Sequence, residues 1–178
     1  MENNRTKKLV FSALFLALCI VLPFLTGQLK ELGNALLPMH LPVMVCGLLC
    51  GGGLGAAVGF LAPFLRSLIF GMPALYPNCI WMSCELATYG FVIGILYNKL
   101  FKKQLLWLYC SLILAMLSGR VVWGVVKAAV LGLSGSGFTI SAFIAGGFTS
   151  AIPGIILQLL LIPLIISLIN RKSKSNVL

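Results

Sequence analysis

The chain has 178 residues, 60% of them hydrophobic and 9% charged, with a formal charge of +10. Soluble domains carry roughly a quarter charged residues, so this composition, with a mean hydropathy of +1.09, excludes a water-borne globule and fits one bundle in lipid. The basic residues stand in short clusters between long apolar runs, which is a membrane pattern and excludes a nucleic-acid surface.

A spanning helix needs about 20 apolar residues. Arg5, Lys7 and Lys8 precede an apolar run over 9–25. That run is too long for a signal peptide and no small-x-small cleavage site follows it, so it predicts a first span at about 9–26. A polar loop over 27–37 carries Lys30, Glu31 and Asn34. Pro38-Met39-His40-Leu41-Pro42 then leads into an apolar stretch reaching Met72, too long for one helix and broken at Gly51-Gly52-Gly53. The second span is therefore short, about 41–50, and the third covers about 54–71. Further spans follow at about 79–96, 105–131 and 151–169, with a shorter helix or loop over 138–150 at the outer interface. The expectation is an all-α membrane protein, a single domain over 1–178 built as a bundle of six transmembrane helices. Cys19, Cys46, Cys50, Cys79, Cys84 and Cys110 lie mostly in apolar stretches, without a CxxC pair and with one histidine in the chain. They read as small buried hydrophobes and not as a disulfide or metal framework.

With both termini inside, the cytoplasmic side holds nine of the 13 basic residues, in clusters at 5–8, 99–103 and 171–174. Only Lys30 falls in an outer loop. The positive-inside rule supports this orientation.

About ten residues at ~1.5 Å each give the second span only ~15 Å of helix, half the hydrocarbon thickness. The missing half is the outer one, filled by the loop that carries Asn34, Pro38 and His40. Irregular backbone at that depth is tolerated when buried in protein or lining a wet cavity. A cavity facing outward is the result.

Ionisable groups inside spans are functional candidates by default. Arg66 on the third span, Glu85 on the fourth, and Arg120 and Lys127 on the fifth all fall in the outer half under this topology. Arg120, Trp123, Gly124 and Lys127 share one helix face, as do Trp81, Glu85, Thr88 and Tyr89. Gly154 and Gln158 form a smaller stripe on the sixth span, and Tyr76 and Asn78 stand in the loop before the fourth. The candidate substrate-binding set is thus Arg66, Glu85, Arg120, Trp123, Lys127, Trp81, Tyr76, Asn78, His40, Asn34 and Gln158. Other roles stay open. Arg120 and Glu85 suit a structural ion pair, Arg66 and Lys127 suit snorkelling to headgroups, the tryptophans suit packing or an interfacial belt, and His40 suits a backbone cap. Three cations against one acid leave a positive excess that a ligand carboxylate or phosphate would offset.

An embedded enzyme fits poorly, because Glu85 is the only acid in a span, the chain has no aspartate, and its single histidine forms no Ser-His-Asp set. Neither a cofactor nor a metal is expected. A stand-alone secondary transporter of a small anionic solute is the alternative, although no inverted repeat is visible.

Small residues spaced by four permit close helix approach in lipid. Ala13 and Ala17 have that spacing on the first span, Gly51, Gly55 and Gly59 at the start of the third, and Gly90 and Gly94 on the fourth. Together with the Pro38–Pro42 entry to a short second span, the stretch from Arg66 to Tyr89 and the basic cytoplasmic ends, these features resemble the S component of a bacterial energy-coupling factor (ECF) vitamin transporter. The resemblance covers essentially the whole chain. It implies a substrate-binding subunit without an ATPase, and the chain carries no Walker A motif. It further implies partnership with a transmembrane coupling subunit and two cytoplasmic ATPases, contacted through the Ala13/Ala17 face, and a loop between the first two spans that covers the substrate. The implied role is ATP-driven import, in a bacterial cell membrane, of a vitamin or vitamin precursor taken from the outer face. The cationic excess favours an acid such as pantothenate; the aromatic residues suit a flat base such as that of a cobalamin precursor.

Overall fold

Hydropathy, glycine and proline together decide where the helices run and stop. The computed structural model describes residues 2–26, 36–100, 105–133, 139–147 and 149–175, and they contain no strand. Helix α1 spans Glu2–Val21 and tightens into a 3-10 turn over Leu22–Thr26. Then come α2 (His40–Cys50), α3 (Gly52–Phe70), a turn over Leu75–Cys79, and α4 (Ile80–Ile95), which a wider turn prolongs over Leu96–Leu100. The chain continues through α5 (Leu105–Leu133), α6 (Ile140–Gly147), a 3-10 turn at Thr149–Ala151, and α7 (Ile152–Ser175).

Among the described residues, five helical stretches are long and apolar enough to cross a membrane: Arg5–Phe24, Gly52–Phe70, Leu75–Asn98, Leu105–Gly132 and Phe143–Ile169. Their outward surfaces carry large apolar side chains, with Leu68 72% and Leu106 70% exposed. Surface of that kind belongs against lipid tails. The protein is therefore an all-α membrane protein. Helix ends and apolar runs do not coincide. Helix α1 starts at Glu2, before its apolar run, and α7 continues through the basic cluster to Ser175, because hydropathy marks the lipid-embedded stretch and not the helix end.

Helix α2 is the short one, 11 residues or about 16 Å, roughly half the hydrocarbon thickness. Nine of its residues are buried, including Val43, Met44, Cys46 and Leu48. A helix that is apolar all round belongs in the centre of a bundle, and α2 packs against α1, α3, α4 and α7. Where it ends, Gly51 turns the chain at φ 104°, a conformation that favours glycine, and α3 begins at the next residue.

Helices α2, α3 and α4 cross backbone to backbone. A Cβ on Gly55 would lie 2.6 Å from Gly47 Cα and 2.8 Å from the Gly90 carbonyl oxygen. One on Gly59 would strike the Leu86 carbonyl, and one on Gly94 would strike Gly52. In lipid, helix association relies on van der Waals contact and polar ties rather than on a hydrophobic drive, and these glycines supply the contact. The tie is Asn98, whose Nδ2 donates to the carbonyls of Leu48 (3.1 Å) and Gly94 (3.0 Å). It thereby satisfies a carbonyl in the last turn of α2, which has no partner within its own helix.

Four of the six cysteines are buried and two half-buried, all as free thiols. Cys19 Sγ lies 3.6 Å from the Met39 carbonyl and Cys46 Sγ 3.7 Å from Ser12 Oγ, so both pack as small hydrophobes with weak polar contacts. The described residues contain no cluster of three metal-ligating side chains.

Candidate functional site

Helices α4 and α5 run antiparallel and face each other with their polar stripes. Each face follows from four-residue spacing: Trp81, Glu85 and Tyr89 on α4, and Arg120, Trp123 and Lys127 on α5, one turn apart. The pairing forms successive rungs.

At the first rung the Tyr89 ring lies against Gly119, where a Cβ would approach it to 2.7 Å, so the glycine makes room for the phenol. Tyr89 is 2% exposed and its hydroxyl donates to Glu85 Oε1 at 3.1 Å. Arg120 Nη1 donates to that same oxygen at 2.8 Å, a buried charge-assisted contact. From the start of α2, His40 brings Nε2 to 3.6 Å of it and sets its ring edge-on to Tyr89, centroids 5.1 Å apart. His40, Glu85 and Arg120 are each 4% exposed or less. Three helices thus meet on one carboxylate oxygen. The His40 ring caps no backbone group, since neither ring nitrogen has a hydrogen-bond partner among the described residues.

At the next rung Lys127 Nζ lies 4.5 Å from the Trp123 ring centroid and 5.4 Å from that of Trp81. Cation–π attraction strengthens where indoles and ammonium are withdrawn from water, and both indoles are 8% exposed. Helix α6 covers this end: Phe143 stacks at a tilt on Trp123, centroids 6.1 Å apart, and a Cβ on Gly124 would collide with it.

Arg66 occupies different surroundings. It is 4% exposed, donates from Nη1 to the Ile20 carbonyl at 2.6 Å, and lies 5.2 and 5.7 Å from the rings of Phe24 and Phe70. Pro23, three residues beyond Ile20, has no N–H to offer that carbonyl as the helix tightens. Arg66 therefore ties α3 to the end of α1, and its contacts are distinct from those on Glu85.

The remaining candidates divide. Gln158 on α7 is 2% exposed, and its Nε2 has no partner among the described residues. Asn78 is half-buried in the turn before α4, and Tyr76 in the same turn is 61% exposed. Asn34, with the loop over 27–35, lies outside the described residues. Ala13 and Ala17 are both exposed along α1, on the face that also shows Val10, Leu14, Leu18 and Val21. Thr88 turns its hydroxyl back to the Cys84 carbonyl at 2.7 Å and leaves the stripe it was expected to share.

Phe24, Phe70 and Phe143 enter these surroundings without having been legible as participants, because phenylalanines in apolar segments carry no spacing signal of their own. Tyr89 had one: it stands four residues after Glu85. Chemically, the site has one carboxylate, already engaged by a guanidinium and a phenol, with further side-chain nitrogens of Arg120 and His40 that have no hydrogen-bond partner among the described residues. Such an arrangement can hold a polar solute.

A family model described as the substrate-specific component of ECF transporters matches residues 7–166. No curated protein and no solved structure shows a match.

Proposed function

Since the chain belongs to the substrate-specific components of ECF transporters, we propose that it captures a vitamin or vitamin precursor, of pantothenate or cobalamin-precursor type, between α2, α4, α5 and α7. Members of the family are transporter subunits and not enzymes, and they work with an ECF module of membrane and ATPase subunits. In this reading capture takes place at the outer face, both termini are cytoplasmic, and import is driven by two ATPases through a transmembrane coupling subunit. The observation that carries it is the group of buried side-chain nitrogens on Arg120, Gln158 and His40 without hydrogen-bond partners among the described residues. Buried polar groups in a fold are otherwise satisfied, and a bound solute supplies what is missing. The basic clusters at 5–8, 99–103 and 171–174 support the orientation.

Mass spectrometry of the small molecule that co-purifies with the detergent-solubilised protein tests the proposal. Recovery of a vitamin or precursor is the expected result, and repeated recovery of none from cells grown with vitamins refutes it. The exposed Ala13/Ala17 face supports docking of the coupling subunit there. Replacing both alanines by leucine should abolish uptake in cells that hold the whole transporter while solute binding persists; loss of binding would make α1 part of the solute site instead.

A further inference from the structure

The guanidinium of Arg120 has two working edges. Nη1 is engaged by Glu85 at 2.8 Å, whereas Nε and Nη2 have no hydrogen-bond partner among the described residues, in a side chain 4% exposed. Nε and Nη2 lie along one edge of the planar guanidinium, and their N–H bonds on that edge run parallel. That pair is the fork that matches the two oxygens of a carboxylate. Burying charged donors without an acceptor is strongly unfavourable, so the fold holds open an edge that it does not itself fill.

Two further observations point to the same kind of ligand. Gln158 Nε2, on α7, is a pure donor, is buried, and has no partner among the described residues. Among the described residues the unpartnered buried side-chain atoms are nitrogens, on His40, Arg120 and Gln158. Those of Arg120 and Gln158 are donors and the His40 ring carries at least one N–H, so the group they call for is an acceptor. Glu85 occupies the Nη1 edge, so the Nε–Nη2 edge has room for one carboxylate group.

We propose that the Nε–Nη2 fork of Arg120, aided by Gln158, seats the carboxylate of the captured solute. The substrate class is then an organic carboxylate whose body lies toward Trp81 and Trp123, and not a neutral base or a cation. This rests on the solute-capture reading and narrows it. Trp123 follows Arg120 by three residues on the same face, so an acid held by the fork has an aromatic surface within one turn of helix.

The test is a binding panel on detergent-purified, solute-stripped protein. Its probes are pantothenate with its alcohol panthenol, biotin with biotinamide, nicotinate with nicotinamide, then thiamine, pyridoxine, riboflavin and pyridoxal 5′-phosphate. A carboxylate should bind, and its uncharged counterpart should bind about 10- to 100-fold more weakly. Arg120→Lys keeps a cation for Glu85 but has no fork, so it should erase that preference while the ligand-free unfolding midpoint stays near that of the wild type. If Arg120→Lys does not fold, Gln158→Leu is read in its place and should weaken the carboxylate about 10-fold with little effect on its uncharged counterpart. A preference that survives the variant read overturns the proposal. So does wild-type binding of a probe without a carboxylate as tight as that of any carboxylate, pyridoxal 5′-phosphate included; in each of these cases capture itself stands. A panel in which nothing binds overturns this proposal, and the capture reading is then decided by whether a solute co-purifies with the protein.

Discussion

The two halves of α4 hold the bundle together in opposite ways. Toward its C-terminus, Gly90 and Gly94 have no side chains, and α2 and α3 approach until backbone touches backbone. Toward its N-terminus, Trp81, Glu85 and Tyr89 reach across to α5, where large side chains stand between the helices. A cavity of about 420 Å3 lies beside the glycine crossing, lined in part by Gly51, Gly52, Gly53 and Gly94. Its amide side chain, Asn98, already donates to backbone carbonyls. What distinguishes the polar end is its unsatisfied side-chain nitrogens. The glycine crossing is the rigid frame from which the polar half is hung, and a lipid-embedded site needs such a frame because no hydrophobic drive compacts it.

The comparison is broken most severely at Glu85. Glu85→Ala leaves the Arg120 cation buried without its acid, and removal of one partner from a buried ion pair destabilises by about 3–5 kcal/mol. Tyr89, whose hydroxyl shares the same oxygen, loses its acceptor as well. The unfolding midpoint of the detergent-solubilised protein should fall steeply. Glu85→Gln, which keeps a carbonyl oxygen for Arg120, should lower it far less. Equal midpoints for both variants would mean that the pair is not the closed, desolvated contact its 3% exposure describes.

The class of the protein was legible because hydropathy sums over many residues, and so was the facing of Glu85 and Arg120, because four-residue spacing places Trp81, Glu85 and Tyr89 on one side of a helix. Arg66 was placed with the others by depth alone. Its actual partners depend on a proline that deprives the Ile20 carbonyl of a donor and on two phenylalanines that meet from α1 and α3, 46 residues apart in their centres, as the Arg66–Ile20 contact is. No local pattern encodes such a meeting. Tyr76 looked inward by adjacency to Asn78, yet a turn points neighbouring side chains in different directions, and it is exposed. The covering of Trp123 by Phe143 depends on the path between α5 and α6, which periodicity does not describe.

The frame itself is tested by two substitutions two residues apart. A Cβ on Gly55 meets Gly47 Cα at 2.6 Å and the Gly90 carbonyl at 2.8 Å, both backbone atoms that cannot rotate away. Gly55→Val should therefore force α2, α3 and α4 apart and destabilise by roughly 1–3 kcal/mol, the range for overpacking. Gly53, in the first turn of the same helix, has nothing within 4 Å of a built Cβ. There, Gly53→Ala removes only backbone freedom from the unfolded chain and should stabilise by about 0.5–1 kcal/mol. Unfolding midpoints measured side by side give opposite signs if the crossing is a fixed contact. Two changes of the same sign would mean that the helices slide to accept a side chain, and a frame that slides could not hold Arg120 and Gln158 in register for a solute.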